Sequence, residues 1–270
     1  MTSKAGQFVA VSTGMLLAGH ISVRARSYLE HADVIFCLVP HSLIETWLIQ
    51  INANVISLQG LYAEGKHRMD TYEEMVAMMM GEVRAGKNVC GAFYGHAGVF
   101  AWAPHETVRQ ARSEGYLAHM EPGISAEACL YADLSIDPGT RGLQHFEATQ
   151  FLLYDHIPNN RGYLVLWQIG LVGEHTATSL STNESWVKIF IEHMLQWYSA
   201  EHSVIIYEAA ILPVEGVRQD TIPLKDLYKQ KLKLHSTLVV PPAEELKPNQ
   251  RVLELLAIEE QDIAKRVVNS

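Results

Sequence analysis

Two segments of this chain combine residue types and spacing that could do chemistry: Tyr94-Gly95-His96-Ala97-Gly98-Val99-Phe100 and Glu121-Pro122-Gly123-Ile124-Ser125-Ala126-Glu127. Each follows a short apolar run and opens toward a helical pattern, so each reads as a strand, a glycine turn and a helix start. Glycines at 95, 98 and 123 let the backbone approach a ligand closely. Gly95-x-x-Gly98 lacks the following Lys-Ser/Thr of a phosphate loop and the third glycine of a dinucleotide fingerprint. The pair therefore suggests a small-molecule cleft rather than a triphosphate site.

Other candidates are weaker. Glu174-His175, Glu192-His193 and Glu201-His202 repeat a dipeptide without the i, i+4 histidine pairing of a zinc helix, and no metal site is expected. Cys37, Cys90 and Cys129 lie in apolar segments without CxxC spacing and read as reduced core thiols. On its own, Arg68 beside Tyr72 reads as a surface pair. Met75, Met78, Met79 and Met80 fall at helical spacing and read as core.

The elements that must position these residues follow from patterning. Gln7 to Val11, Val34 to Val39, Asn54 to Leu58, Asn88 to Tyr94 and Leu117 to Met120 read as strands. Their unalternating apolar runs mark strands buried on both faces, as in parallel sheets. Helices are expected over Ile21–His31, Pro104–Glu114 and Ser125–Ala132. Asp70-Thr71-Tyr72-Glu73 has the form of a capping box opening a helix that runs to Arg84 and is closed by Gly86. Leu61 to Arg68 reads as loop. Beyond Pro138-Gly139, strands are expected at Tyr163–Ile169, Ser203–Tyr207 and Ser236–Val240, with helices at Trp186–Tyr198 and Val252–Val268. The fold class is α/β, with an N-terminal domain over 1–120, a second α/β domain over 121–246 and a helical tail over 247–270.

With 270 residues, 48% hydrophobic and 19% charged, the chain can bury sizeable cores. A formal charge of −9 and the lack of any Lys/Arg run longer than two argue against nucleic acid as a partner. No stretch approaches the roughly 20 apolar residues that span a bilayer, so no membrane partner is expected. The Phe8–Ala18 stretch is broken by Ser12, Thr13 and Gly14 and reads as strand and loop rather than as a signal peptide. A cytoplasmic location is expected.

Taken together, the segments from Tyr62 to Thr149 resemble the tetrapyrrole methylase superfamily, the class III S-adenosylmethionine methyltransferases. The resemblance rests on Tyr94-Gly95-His96, Pro122-Gly123-Ile124-Ser125-Ala126-Glu127, Ala132-Asp133-Leu134-Ser135-Ile136-Asp137-Pro138 and Phe146-Glu147-Ala148-Thr149. Weaker matches follow at Trp167-Gln168, Tyr207-Glu208-Ala209-Ala210 and Ser236-Thr237-Leu238. Within the superfamily the chain looks closest to the borosin peptide-backbone α-N-methyltransferases, of the split bacterial type. Two departures stand out: Ala97 occupies the place of a usual proline, and Ser12 that of the first glycine of the N-terminal loop.

The resemblance implies two α/β domains with the cofactor, S-adenosylmethionine, in the cleft between them and S-adenosylhomocysteine as product. It implies iterative methylation of backbone amides in a ribosomally made precursor peptide. The short, charged end of the chain favours a separate precursor, bound by a homodimer in a 2:2 complex. Catalytic roles carry over to Tyr72 as base or proton relay and Arg68 as oxyanion partner, with Tyr62 and Tyr94 orienting the peptide. Asp70 as N-cap would put Tyr72 in the first helical turn, where the dipole favours an anion. Cofactor contacts carry over to Tyr94, His96, Val99, Ser125, Ala126, Gln168, Ala210, Ser236 and Thr237. Two alternatives stay open: a methyltransferase acting on a tetrapyrrole or corrin-type small molecule, and a catalytically idle relative that binds the peptide.

Overall fold

A computed structural model of the chain describes residues 5–63, 65–179 and 181–267. It divides into two compact units, the first comprising Met1–Ala132, Thr176–Ser179 and Ala209–Val217, the second Asp133–His175, Leu180–Glu208 and Arg218–Ser270.

The first unit is a five-stranded, all-parallel sheet of β1 (Gln7–Ser12), β2 (Val34–Leu38), β3 (Val55–Ser57), β4 (Asn88–Phe93) and β5 (Leu117–Met120), in the order β3-β2-β4-β1-β5. The period-2 geometry of a strand sorts its side chains onto two faces. Phe8, Ala10, Val34, Phe36, Val89 and Phe93 point to one core, with Met75, Val76, Met79, Met80 and Val83 of α3 (Arg68–Arg84) and Ala103 and Ala111 of α4 (Trp102–Ser113). Val9, Val11, Ile35, Cys37, Cys90 and Ala92 point to the other, under Ala25 and Leu29 of α1 (Val23–His31) and Ile44 and Leu48 of α2 (Ser42–Ile51). Burial on both faces is why the strands carry no alternation. α5 (Ala126–Asp133) follows β5.

The second unit holds a mixed sheet, β6 (Leu143–Glu147), β7 (Tyr163–Trp167), β8 (Ser203–Glu208), β9 (Arg218–Pro223) and β10 (Thr237–Val240), ordered β6-β7-β10-β8-β9. Only the β6–β7 pair is parallel; the remaining pairs are antiparallel. Short α6 (Pro138–Arg141) and α7 (Ala148–Leu153) flank β6, and α8 (Glu184–Met194) lies between β7 and β8 in the chain. Leu164, Leu166, Val204, Ile206, Leu238 and Val240 form one apolar face, covered by Phe151 of α7 and by Val187, Phe190 and Met194 of α8. The family segments near the start of this unit act as caps. Asp137 accepts the Gly139 N–H (2.8 Å) at the head of α6, and Glu147 accepts those of Thr149 and Gln150 at the head of α7.

Several expectations are corrected. α3 begins at Arg68, not after Asp70, and its N-cap is His67, whose Nδ1 accepts the Met69 N–H at 3.2 Å. The expected loop thus ends at a helical Arg68; its Glu64 lies outside the described residues. The single terminal helix is two, α9 (Gln250–Leu256) and α10 (Glu260–Val267), broken at Ala257, whose φ of 52° is left-handed. Its expected last residue, Val268, lies outside the described residues. α2, β6 and β9 had no counterpart in the sequence reading.

Candidate functional site

At the carboxyl ends of β1, β4 and β5 the first unit brings both glycine segments together. Gly14 and Gly95, each at positive φ, exchange backbone hydrogen bonds of 3.1 and 2.9 Å. Ser12, 1% exposed, pins this edge: its hydroxyl donates to the Glu121 carbonyl (3.2 Å) and accepts the Ala97 N–H (2.9 Å). The two departures from the family pattern are thus partners, since a glycine at 12 has no hydroxyl and a proline at 97 has no N–H. Gly123 packs against the same serine, so closely that a Cβ there would stand 2.1 Å from Ser12 Cβ.

Four amides of the first loop are engaged. Gly95 N–H goes to Gly14, Ala97 N–H to Ser12, Gly98 N–H to His96 Nδ1 (2.9 Å) and Val99 N–H to the His96 carbonyl (3.0 Å). Around the turn, Tyr94 (42% exposed), Val99 and Ile124 present apolar faces. Such an edge offers apolar surface to the aromatic part of a small ligand. His96 therefore shapes its own loop, and Ser125 caps the start of α5 by accepting the Ala128 N–H at 3.3 Å, one residue before Ala126.

Tyr62, Arg68 and Tyr72 come together beside this edge. Tyr62 precedes α3, Arg68 is its first residue and Tyr72 its fifth. The rings of Tyr62 and Tyr72 meet edge to face, with centroids 6.4 Å apart. Burial pushes the Tyr62 phenol above its ordinary pKa, the neighbouring Tyr72 and Tyr94 push the same way, and the Arg68 charge pulls it back. Tyr94 is raised too, by desolvation of its phenol oxygen and by Tyr72. Both shifts favour the protonated phenol, which can donate a hydrogen bond. Because α3 starts at Arg68, Tyr72 lies beyond the first turn, and the dipole argument for an anion there fails. Arg68 remains a half-buried cation whose own N–H donates to Ala177 (3.0 Å).

In the second unit, Gln168, Ser236 and Thr237 gather at one end of the sheet, where β7 ends and β10 begins. Gln168 is left-handed (φ 58°), a strained conformation for a non-glycine residue. The Ser236 carbonyl accepts the Ile169 N–H at 2.9 Å. Ser236 is fully buried, and its hydroxyl donates to Glu208 (2.7 Å) and accepts the Lys233 N–H (2.8 Å). Glu208, 5% exposed, is held by Arg218 (2.7 Å) and Lys233 (2.6 Å). Burial alone would raise its pKa, but the bonds from Lys233, Ser236 and Arg218 outweigh it and bring the carboxyl to about 2. An open groove of about 550 Å³ in this unit is lined by Ser181, Thr182 and Leu232–His235; its Lys233 is committed to Glu208. Ala210 follows β8 within the 209–217 segment, which belongs to the first unit.

Sequence reasoning missed two features. Trp102, at the start of α4, stacks on Tyr72 (centroids 6.4 Å, 25° between planes), and no local signal marked it. Glu208 was part of a matching segment but had no assigned role.

The profile of the tetrapyrrole (corrin/porphyrin) methylases matches residues 7–223. The chain belongs to this family of methyltransferases. It is 40% identical over 246 residues to the methyltransferase/type I borosin cyclic peptide precursor of Coprinopsis marcescibilis, covering 88% of this chain and 63% of that protein. It is 36% identical over 262 residues to the omphalotin A precursor methyltransferase of Omphalotus olearius, covering 95% and 62%. The chain thus spans less than two thirds of the length of these relatives. Among solved structures, uroporphyrin-III C-methyltransferase of Thermus thermophilus matches with a TM-score of 0.62 at 17% identity, over 88% of this chain and 93% of that one. Diphthine synthase matches with a TM-score of 0.59 at 14% identity, over 89% and 91%. These structures share the fold, two α/β units of the class III methyltransferase type. Among the described residues no helix is long and apolar enough to cross a membrane.

Proposed function

We propose that this methyltransferase uses S-adenosylmethionine to methylate, iteratively, backbone amides of a ribosomally made precursor peptide. The observation that carries the reading is the grouping of Arg68, Tyr72 and Tyr62 beside a glycine edge, in a chain similar to borosin methyltransferases. When bound, the cofactor supplies an electrophilic methyl group on a sulfonium, and Tyr94, His96, Val99, Ser125, Ala126, Gln168, Ala210, Ser236 and Thr237 are its proposed contacts.

An amide nitrogen is a poor nucleophile because its lone pair is delocalised into the carbonyl. A phenolate, conjugate base of an acid of pKa near ~10, removes the amide proton only if the resulting imidate is stabilised. Arg68 supplies that stabilisation as a permanent cation with several donors for the imidate oxygen. Tyr72 takes the proton, and the neutral phenols of Tyr62 and Tyr94 donate to peptide carbonyls and fix the chain. The amide exchanges its N–H for N–CH₃, neutral S-adenosylhomocysteine would be the leaving group, and the positive charge of the sulfonium would depart as the proton that Tyr72 passes on to solvent, so atoms and charge balance. A separate precursor, a homodimer, a 2:2 complex and a cytoplasmic setting complete the proposal.

Intact mass spectrometry of an apolar candidate precursor incubated with the protein and S-adenosylmethionine tests it. Successive gains of about 14 Da, one CH₂ each, are expected. A peptide left unmodified while a porphyrinoid binds and is methylated would replace the reading with the small-molecule one. Binding of peptide and cofactor with no turnover would leave an idle relative.

A further inference from the structure

We propose that Trp102 is a positioning residue that holds the ring of Tyr72 at its working angle; the inference rests on the reading above. Tyr72 sits at the border of the buried stripe of α3, whose core positions are Thr71, Met75, Val76, Met79, Met80 and Val83. Its ring packs against that core from the border and is not enclosed by it. Two aromatic neighbours hold the remaining faces: Tyr62, edge-on at 84°, and Trp102, nearly parallel at 25°, each with its ring centroid 6.4 Å away. Tyr62 arrives on an irregular segment, next to a short 3-10 turn at Gln59–Leu61. Trp102 arrives on a rigid element. It is the first residue of α4, and the residues after it, Ala103, Pro104 and Thr107, are buried, with Thr107 bonded back to the Ala103 carbonyl at 2.8 Å.

The chemistry asks for such a support. A proton relay works only within hydrogen-bond reach of the proton it takes, and a misplacement of about 1 Å costs roughly 10²-fold. A tyrosine at the border of a core keeps rotamer freedom on the side the core leaves open. An indole laid along one face removes that freedom, and offset aromatic stacking sets the plane. Trp102 is itself 39% exposed, more than packing of the core alone requires. Phe100, 55% exposed at a left-handed φ of 51°, stands two residues before it on the same surface turn.

Two readouts test the inference. In protein labelled with 5-fluorotryptophan, the Trp102 fluorine resonance, assigned by its loss in Trp102→Phe, is expected to shift in Tyr72→Leu while those of the other tryptophans stay. An unmoved Trp102 resonance would overturn the proposal whatever the activity. In turnover, Trp102→Ala is expected to lower kcat at least tenfold, with peptide KM and cofactor affinity within twofold, and Trp102→Phe to recover most of the loss. The effect of Trp102→Ala should vanish in a Tyr72→Phe background, because an indole that acts through Tyr72 has nothing left to position. An equal loss in both backgrounds, or unchanged kcat in folded Trp102→Ala, would overturn it. A wild-type protein silent on every peptide, with the fluorine coupling present, would instead overturn the peptide-methylating reading.

Discussion

The two units solve the same problem, fixing the backbone at the end of a sheet, by different means. In the first, the bonds that hold the turn itself are neutral, from the Ser12 hydroxyl, the paired amides of Gly14 and Gly95 and the close packing of Gly123, while the buried Glu121 carboxylate beside it meets Arg24 and His119 at 2.9 Å each. In the second, a buried carboxylate, Glu208, gathers Arg218, Lys233 and the Ser236 hydroxyl. Neutral hydrogen bonds contribute about 1 kcal/mol each and do not titrate in the working range. A buried ion network is expensive to break and is tied to pH. The proposed chemistry lies in the first unit, where the residues proposed to hold or move protons are phenols and a permanent cation.

The largest effect separates chemistry from scaffold. Tyr72→Phe is expected to lower kcat by about 10²–10⁴-fold, the usual worth of a positioned proton-transfer group, with cofactor affinity by calorimetry unchanged. Turnover equal to wild type would remove Tyr72 from the mechanism. Next, Glu208→Gln leaves Arg218 and Lys233 without their buried anion and should cost about 3–5 kcal/mol in urea unfolding. A loss below about 1 kcal/mol would show that the charged network does not set the second unit's stability.

The pH dependence follows from the same carboxyl. Its pKa is depressed in the fold, from an ordinary 4.5 to about 2. As pH falls through about 4.5, the unfolded chain takes up the proton first. The stabilisation is therefore complete above that pH and lost on going down toward 2, by up to about 3 kcal/mol. Glu208→Gln should flatten that slope, which acid titration of the unfolding midpoint would read. The smallest effect belongs to the first unit. Ser12→Ala leaves the buried Ala97 N–H unsatisfied and should cost about 1–3 kcal/mol, equally at pH 4 and pH 7. A pH-dependent penalty at Ser12 would erase the contrast between the two edges.

Much of the first unit was legible in the sequence because its strands are buried on both faces and announce themselves as continuous apolar runs. The second unit hid two strands for the converse reason. β6, Leu-Gln-His-Phe-Glu, and β9, Arg-Gln-Asp-Thr-Ile-Pro, are sheet edges rich in polar residues and show little apolar run. α3 starts earlier than its apparent capping box because a histidine, an uncommon N-cap, takes the role at 67. α4 starts at Trp102 rather than Pro104; proline tolerates any place in the first turn, so it marks a helix start only to within a residue or two. The site residues Arg68, Tyr72, Tyr62 and Tyr94 were named from a resemblance, and the fold places the first three side by side. Trp102 was invisible because nothing local connects it to a tyrosine thirty positions earlier.

The central claim is the atom that receives the methyl group. Fragment-ion mass spectrometry of the reacted precursor reads it directly, by assigning each gain of about 14 Da to a backbone position within the peptide. The account predicts methyl groups on successive backbone nitrogens, with none on side chains, and their loss in Tyr72→Phe. Methyl groups confined to side chains or termini, or unchanged yields in that variant, would contradict it.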